Sequence, residues 1–397
     1  MTDLADIADV GRDARRGGYS RHGFDRVELE LRAWFTEEAT RRGLDVRPDR
    51  NGNLWAWWGA PGPDAVVTGS HLDSVPGGGA FDGPLGVVSA LQAVDLLRAK
   101  GFQPSRPLAI VVFVEEEGGR FGVACLGSRL LTGAITPEQA CALTDPDGVT
   151  FGEAAHRAGF DPLRMGRDDA ALASIGQFVE LHVEQGKGLT VPIGLADSIL
   201  AHGRWRYTFT GEGNHAGATL IEDRRDPMLP ASQVVPAARR AATDGARATV
   251  GRIVPNPGGT NVIASSVDVW LDARAEDDRR TREVVAAITE AARTAAAEEG
   301  CEVRVTEESY GSTVFFDREL ASDISAALAA NTAFGQVPSL PTGAGHDAGI
   351  LAAHVPTAML FVRNPTGISH APDEFAEADD CAAGVVALAT TLEHLAR

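Results

Sequence analysis

A chain of 397 residues with 44% hydrophobic side chains can bury more than one core, so two domains are the starting expectation. The net charge of −19 argues against nucleic acid and against anionic membrane surfaces as partners. The acidic opening Met1-Thr2-Asp3-Leu4-Ala5-Asp6 lacks the basic and apolar stretches of a signal peptide, and no apolar run is long enough to span a bilayer. Cys125, Cys141, Cys301 and Cys381 are scattered without a C-x-x-C, which reads as four inert thiols in a reducing cytoplasm.

The elements alternate between strand and helix. Val27, Leu31, Trp34 and Phe35 share one helical face, and Gly43 ends that helix. Asn51-Gly52 makes a turn before a strand at Leu54–Trp58. Val66-Val67-Thr68 is a short strand that delivers His71, and the flexible Pro76-Gly77-Gly78-Gly79 loop delivers Asp82. Pro84 suits the first position of a helix that runs to about Lys100 and closes at Gly101. Leu108–Val114 is a continuous apolar run, the pattern of a strand buried on both faces, and it ends in Glu115-Glu116-Glu117. Phe178–Leu181 leads directly into His182.

The middle of the chain changes character. Trp205–Thr210 and Val267–Ala273 alternate strictly; Val267, Val269, Leu271 and Ala273 share one face, with Asp268, Trp270, Asp272 and Arg274 on the other. Helical stretches fall near 227–242 and 277–299. The reading is an α+β insert over 204–316, after which Glu319–Phe334, Thr357–Val362 and Glu374–Leu395 resume the first pattern. His370 lies beyond the insert, so the expected catalytic domain is discontinuous, 1–203 with 317–397.

His71, Asp82, Glu117, His182 and His370 are five metal-type ligands on separate segments, placed at strand ends and in loops along one edge of an α/β sheet. Three imidazoles, carboxylates and no Cys describe an N/O site with room for two divalent ions, the equipment for activating water. A lone His at a strand end is usually ordinary, and a Glu triplet is usually a solvated run. Their conjunction argues otherwise. Asp73, two residues from His71 in an extended segment, points the same way and can accept the second imidazole N–H. Adjacent Glu116 and Glu117 suit two jobs, one as ligand and one as general base. The segments 211–216 and 343–348 both match G-x-G-x-x-A, but neither lies clearly between a parallel strand and a helix, so they read as chance matches. There is no G-x-S-x-G elbow and no P-loop.

Together these segments resemble the bimetal amidohydrolase branch of the zinc exopeptidase superfamily. The matching stretches include 69–78, 81–86, 115–121, 126–129, 181–186, 214–217, 258–263, 343–348 and 367–370. That branch holds allantoate amidohydrolase, N-carbamoyl-L-amino-acid hydrolase and β-ureidopropionase. The resemblance implies a mixed-sheet α/β catalytic domain of zinc-exopeptidase type with the insert as a lid that also forms a homodimer. It implies two divalent ions per subunit, Zn2+ first, with Mn2+, Co2+ or Ni2+ also accepted. Asp82 would bridge them, His71 and His182 would complete different ions, and Glu117 and His370 would each serve one. Glu116 would be the base. His215 would polarise the scissile carbonyl, reaching the partner subunit's site. Asn261 and Arg274 would hold a substrate carboxylate, with Gln185 and His346 lining the pocket. The residues support Arg274 independently, since a guanidinium fork on a polar strand face suits bidentate capture; a surface pair with Asp272 or Glu276 is the ordinary alternative.

Ala218-Thr219-Leu220-Ile221 stands where the branch commonly has Thr-Thr-Pro-Met, and Ala264 where Pro is common, departures that touch substrate choice rather than chemistry. The expected activity is hydrolysis of a ureido C–N bond in a small carboxylate, allantoate or an N-carbamoyl-L-amino acid. Arg363, ahead of His370, adds a second cation that would favour allantoate unless it pairs with Asp373. A dipeptidase or aminoacylase, and a metal-binding relative without activity, are the alternatives.

Overall fold

The computed structural model describes residues 3–397; Met1 and Thr2, which open the acidic leading segment, lie outside the described residues. The chain folds as two compact units, one running through Ser198 and resuming over Phe315–Arg397, the other spanning Ile199–Val314.

The first unit is built on a nine-stranded mixed sheet. Four strands run parallel at its centre, in the order Leu108–Phe113, Ala65–His71, Ile175–Val183 and Thr357–Val362. Antiparallel strands flank them, Leu54–Trp58 on one side and Ile193–Ile199 on the other. The central strands read as unbroken apolar runs because both faces are covered. Every residue of Ala65–His71, Leu108–Phe113 and Thr357–Val362 is buried. Helices Pro84–Ala99 and Ala378–Leu395 supply Val87, Leu91, Val94, Leu388 and Leu392 to the same core as Val66, Ile110, Val179 and Leu181. Each such fully buried aliphatic side chain is worth about 1.5–3 kcal/mol of transfer free energy. Because the four strands are parallel, their carboxyl ends all open at one edge, and His71, the three glutamates and His182 emerge there.

The local signals set several of these elements. Asp25 caps helix Arg26–Arg41 by accepting from the Glu28 amide, and Gly43 follows it in the left-handed region. Pro84 takes the first helical position after Gly83. Gly83 has φ +83°, and a Cβ there would fall 2.4 Å from Cε1 of His71, so only glycine lets the helix start against that ring.

Some boundaries differ from the sequence reading. The strand expected at 66–68 runs through His71, and the one expected at 178–181 begins at Ile175. The last helix begins at Ala378, which leaves Glu374 in the preceding loop. Strands Ile193–Ile199, Arg247–Asn256 and Glu302–Gly311 were not anticipated. The second is a largely exposed edge, so no burial alternation marks it in the sequence.

The second unit carries a four-stranded antiparallel sheet in the order Glu302–Gly311, Ala201–Thr210, Ser266–Ala275, Arg247–Asn256. Val267, Val269, Leu271 and Ala273 are buried with Trp205, Tyr207 and Phe209 beneath helices Met228–Ala241 and Asp278–Glu298. Asp268, Trp270, Asp272 and Arg274 occupy the opposite, half-exposed face, as strict alternation requires. No helix among the described residues is long and apolar enough to cross a membrane.

Candidate metal centre

Asp82 is the hub of the parallel edge. Its Oδ1 lies 3.2 Å from Nε2 of His182 and 3.6 Å from Nε2 of His71, while its Oδ2 lies 3.4 Å from Nε2 of His370. Glu117 Oε2 is 3.3 Å from the same His370 nitrogen. Three sets of ligand atoms result, of which His71–Asp82–His182 and Asp82–Glu117–His370 share the Asp82 carboxylate, while Glu180–His182–His346 shares only His182 with the first. This grouping differs from the expected one, in which His71 and His182 served different ions and Glu117 and His370 were divided between them. Adjacent strand ends bring the two buried imidazoles to the same carboxylate oxygen.

The donor chemistry fits divalent ions. Nδ1 of His182 lies 2.8 Å from the Val183 carbonyl and Nδ1 of His71 lies 3.0 Å from the Asp73 carbonyl, so each Nδ1 donates and each Nε2 presents its lone pair. Both Nε2 atoms are buried without a hydrogen-bond partner among the described residues. A buried polar atom left so is costly unless something else binds it. Burial opposes ionisation of Asp82, but the His182 and His71 imidazoles beside it hold its carboxyl well below the usual range. The hydrogen bond to Glu117 pushes the His370 imidazole up to about 9.

Asp73 plays a different part from the one expected. Its carboxylate is 3.6 Å from Nδ1 of His71, too long for a hydrogen bond, and the carbonyl of the same residue takes that N–H. The carboxylate instead accepts from the backbone amides of Glu116 (3.2 Å) and Glu117 (3.0 Å), fixing the turn that presents both glutamates. Glu115, which begins that turn, has φ +53°, and His370 has φ +55°. Non-glycine residues in the left-handed region are held there by their surroundings, and such strain gathers at functional sites.

Glu116 is buried, with Oε2 3.6 Å from Nε2 of His71. Burial pushes its carboxyl well above the ordinary range, opposed by His71 and reinforced by Asp347, Glu117 and Asp73. Cys125, read above as inert, donates its thiol to Glu116 Oε1 at 3.3 Å. Gln185 donates from Nε2 to Asp82 Oδ2 at 2.8 Å, and that nitrogen also lies 3.1 Å from His370 and 3.2 Å from Ser369 Oγ. Its amide therefore sits among the ligand side chains. His346 packs edge-on to His182 with ring centroids 4.6 Å apart, and its Nε2 is buried without a hydrogen-bond partner among the described residues. Burial, then the neighbouring His182, pushes its pKa well below the ordinary value, so it is neutral.

His215, Asn261 and Arg274 belong to the second unit. His215 pairs with Val262 across a two-stranded ladder, which sets Asn261 beside it; the Asn261 carbonyl accepts from Ala216. Nδ1 of His215 accepts from the Gly217 amide at 3.0 Å, so its proton is on Nε2, and the ring is exposed. Arg274 makes a bidentate contact with Asp272 at 2.8 and 3.1 Å, the ordinary pairing weighed for it. Arg363 donates to Asp380 at 2.8 Å in the first turn of the last helix. Its charge is matched there, not by Asp373, and the argument that Arg363 favours allantoate loses its support. The 211–216 segment contains the two-residue strand Asn214–His215, and the 343–348 segment runs into the five-residue helix Asp347–Leu351, so neither forms a dinucleotide fold.

The sequence reading missed Glu374, Glu180 and Cys125. Glu180 accepts from Ser70 Oγ and the Ala348 amide. Its place two residues before His182, on the same strand face, was the available signal.

A mixed sheet whose parallel strands end in two ligand sets around a shared aspartate defines a metal-dependent hydrolase. The chain belongs to peptidase family M20/M25/M40, whose profile matches residues 67–394. It is 36% identical to the N-carbamoyl-L-amino acid amidohydrolase of Geobacillus stearothermophilus, covering 99% of this chain and 97% of that one. It is 34% identical to the ureidoglycolate hydrolase of Arabidopsis thaliana (96% and 83% covered) and 32% identical to the allantoate amidohydrolase of Bacillus subtilis (100% and 97%). The crystal structure of a hydantoinase/carbamoylase family amidase from Burkholderia multivorans superposes with a TM-score of 0.86 at 32% identity, covering 99% of this chain and 96% of that one.

Proposed function

We propose that this enzyme hydrolyses the ureido C–N bond of a small carboxylate, an N-carbamoyl-L-amino acid or allantoate, to an amine, ammonia and carbon dioxide. The observation that carries the reading is the pair of ligand sets sharing Asp82, next to a buried glutamate that belongs to neither. Relatives over the full length of the chain act on ureido substrates. His71, Asp82 and His182 would hold one divalent ion, and Asp82, Glu117 and His370 the other, with Zn2+ first among Zn2+, Mn2+, Co2+ and Ni2+. When bound, such ions lower the pKa of water from about 15.7 to roughly 7 and polarise the substrate carbonyl.

The protein groups do the rest. Glu116 takes the proton from the attacking water and returns it to the departing nitrogen. Asp73 keeps that carboxylate in place through the backbone. His215 donates from Nε2 to the developing oxyanion of the partner subunit's substrate. Asn261 and Arg274 take the substrate carboxylate, which must displace Asp272 from the guanidinium. His346, neutral, lines the pocket. A homodimer is supported by the edge strand Arg247–Asn256 with Ile253 and Val254 exposed, and by Met228, Leu229 and Val235 exposed on the helix beside it. The four unpaired thiols agree with a cytoplasmic setting.

The deciding assay is ammonia release from a panel of N-carbamoyl-L-amino acids, allantoate and dipeptides, with added Zn2+, Mn2+, Co2+ or Ni2+. Ureides turn over and dipeptides scarcely do; faster dipeptide hydrolysis would overturn the assignment. On the same panel Arg274→Ala raises KM for every carboxylate substrate by roughly 10-fold or more, since a charge-assisted bond is worth about 1.5–3 kcal/mol. An unchanged KM would leave Arg274 to its pair with Asp272.

The shared site has its own check. Inactive Glu116→Gln and His215→Ala proteins, mixed and allowed to exchange subunits, regain part of the activity because one subunit then offers an intact combination. A fully exchanged mixture that stays inactive would show that His215 does not act across subunits.

A further inference from the structure

We propose that Glu374 is a positioning residue that locks the loop carrying Asp82 to the loop carrying His370, and that ion binding by Asp82, Glu117 and His370 depends on this lock. The inference rests on the two-ion reading given above. Glu374 Oε1 accepts from the backbone amides of both Phe81 and Asp82, each at 3.0 Å. Its Oε2 lies 3.4 Å from Ser369 Oγ, and that hydroxyl lies 3.4 Å from Asp82 Oδ2. One carboxylate thus ties together segments 292 residues apart in the chain. The Glu374 amide donates to the Ala371 carbonyl, closing the turn just after His370.

Two features mark the contact as built for. Glu374 is only 5% exposed, although it sits in a loop. A Cβ at Gly79 would fall 2.3 Å from Oε1 and 2.4 Å from the carboxyl carbon, so the loop can close over Glu374 only with glycine there. His370 needs such support. It is half-exposed, and its left-handed backbone does not hold itself. Outer residues that orient metal ligands typically carry 10–100-fold in metal affinity.

The test uses full-length protein stripped of metal and titrated with Co2+, followed by its d–d absorption and by competition with a chromophoric chelator. Wild type takes up two equivalents; if it takes up none, the two-ion reading itself fails. Glu374→Ala binds the second equivalent at least tenfold more weakly, with an altered spectrum, while the melting temperature of the metal-free protein changes little. Glu374→Gln restores the affinity, because its amide oxygen still accepts both backbone N–H groups. Should Glu374→Ala fail to fold, Gly79→Ala reports in its place, since the added methyl displaces the carboxylate and weakens the same equivalent. Two tight equivalents with an unchanged spectrum in the Ala variants, or no rescue by Gln, would overturn the proposal.

Discussion

Glu116→Gln lowers kcat by roughly 10²–10⁴-fold, the usual contribution of a positioned general base, while the protein keeps its full complement of metal. The two halves of that result follow from where the side chain sits. Glu116 belongs to neither ligand set, so its loss as a carboxylate does not open a coordination position. Its Oε1 is occupied by the Cys125 thiol, which leaves Oε2 directed at the His71 side of the centre. Burial raises its pKa, and the positive charge placed beside it by bound ions acts in the opposite direction; a carboxylate between these influences can both take and return a proton. Gln has the same shape and cannot exchange that proton. Glu117→Gln gives the contrasting pattern, because Glu117 is paired with His370 and lies in the second ligand set: one ion is weakened first, and activity follows it. Elemental analysis alongside kcat separates the two. Full metal in Glu117→Gln together with metal loss in Glu116→Gln would mean that the adjacent glutamates have exchanged roles.

The layout of this centre was legible in the sequence to the extent that it depends on strand ends. A continuous apolar run such as Leu108–Val114 must be a doubly buried strand, and whatever follows it emerges at the sheet edge. That logic reaches Glu116, Glu117, His71 and His182. It does not say which ligand meets which, because the grouping depends on strand order, and the strand of His71 pairs with the strand of His182 across more than a hundred intervening residues. Nor does it separate a carboxylate from its own carbonyl, which is why Asp73 was assigned the N–H that its backbone oxygen receives. Arg274 and Arg363 show the same limit for charge: a guanidinium on a polar face reads as a site, and only the fold shows Asp272 and Asp380 beside them. Glu374 was invisible for a further reason. Four residues past His370 and just before an amphipathic stretch, it looks like ordinary helix-leading acid, and its partners are backbone amides that carry no sequence signature.

Asp82→Ala is expected to lose both ions and to reduce turnover to background. The two oxygens of this carboxylate face opposite ligand sets, Oδ1 towards His71 and His182 and Oδ2 towards His370. Removing it leaves each set with two protein ligands, below the three that catalytic sites of this chemistry usually keep. It also removes the negative charge that compensates the ions in a nearly dry site; at 4% exposure, water cannot take over that work. The loss at each site is therefore larger than one coordinate bond, and it falls on both sites together. Glu117→Gln or His370→Ala, by contrast, each touch only the second set and leave the His71–Asp82–His182 ion in place. The measurement is metal content after purification without chelator, read for all three variants beside the wild type, with circular dichroism to show that the sheet is intact. Retention of one full equivalent by Asp82→Ala would mean that the carboxylate serves a single ion, and that the second set is completed by a group other than Asp82.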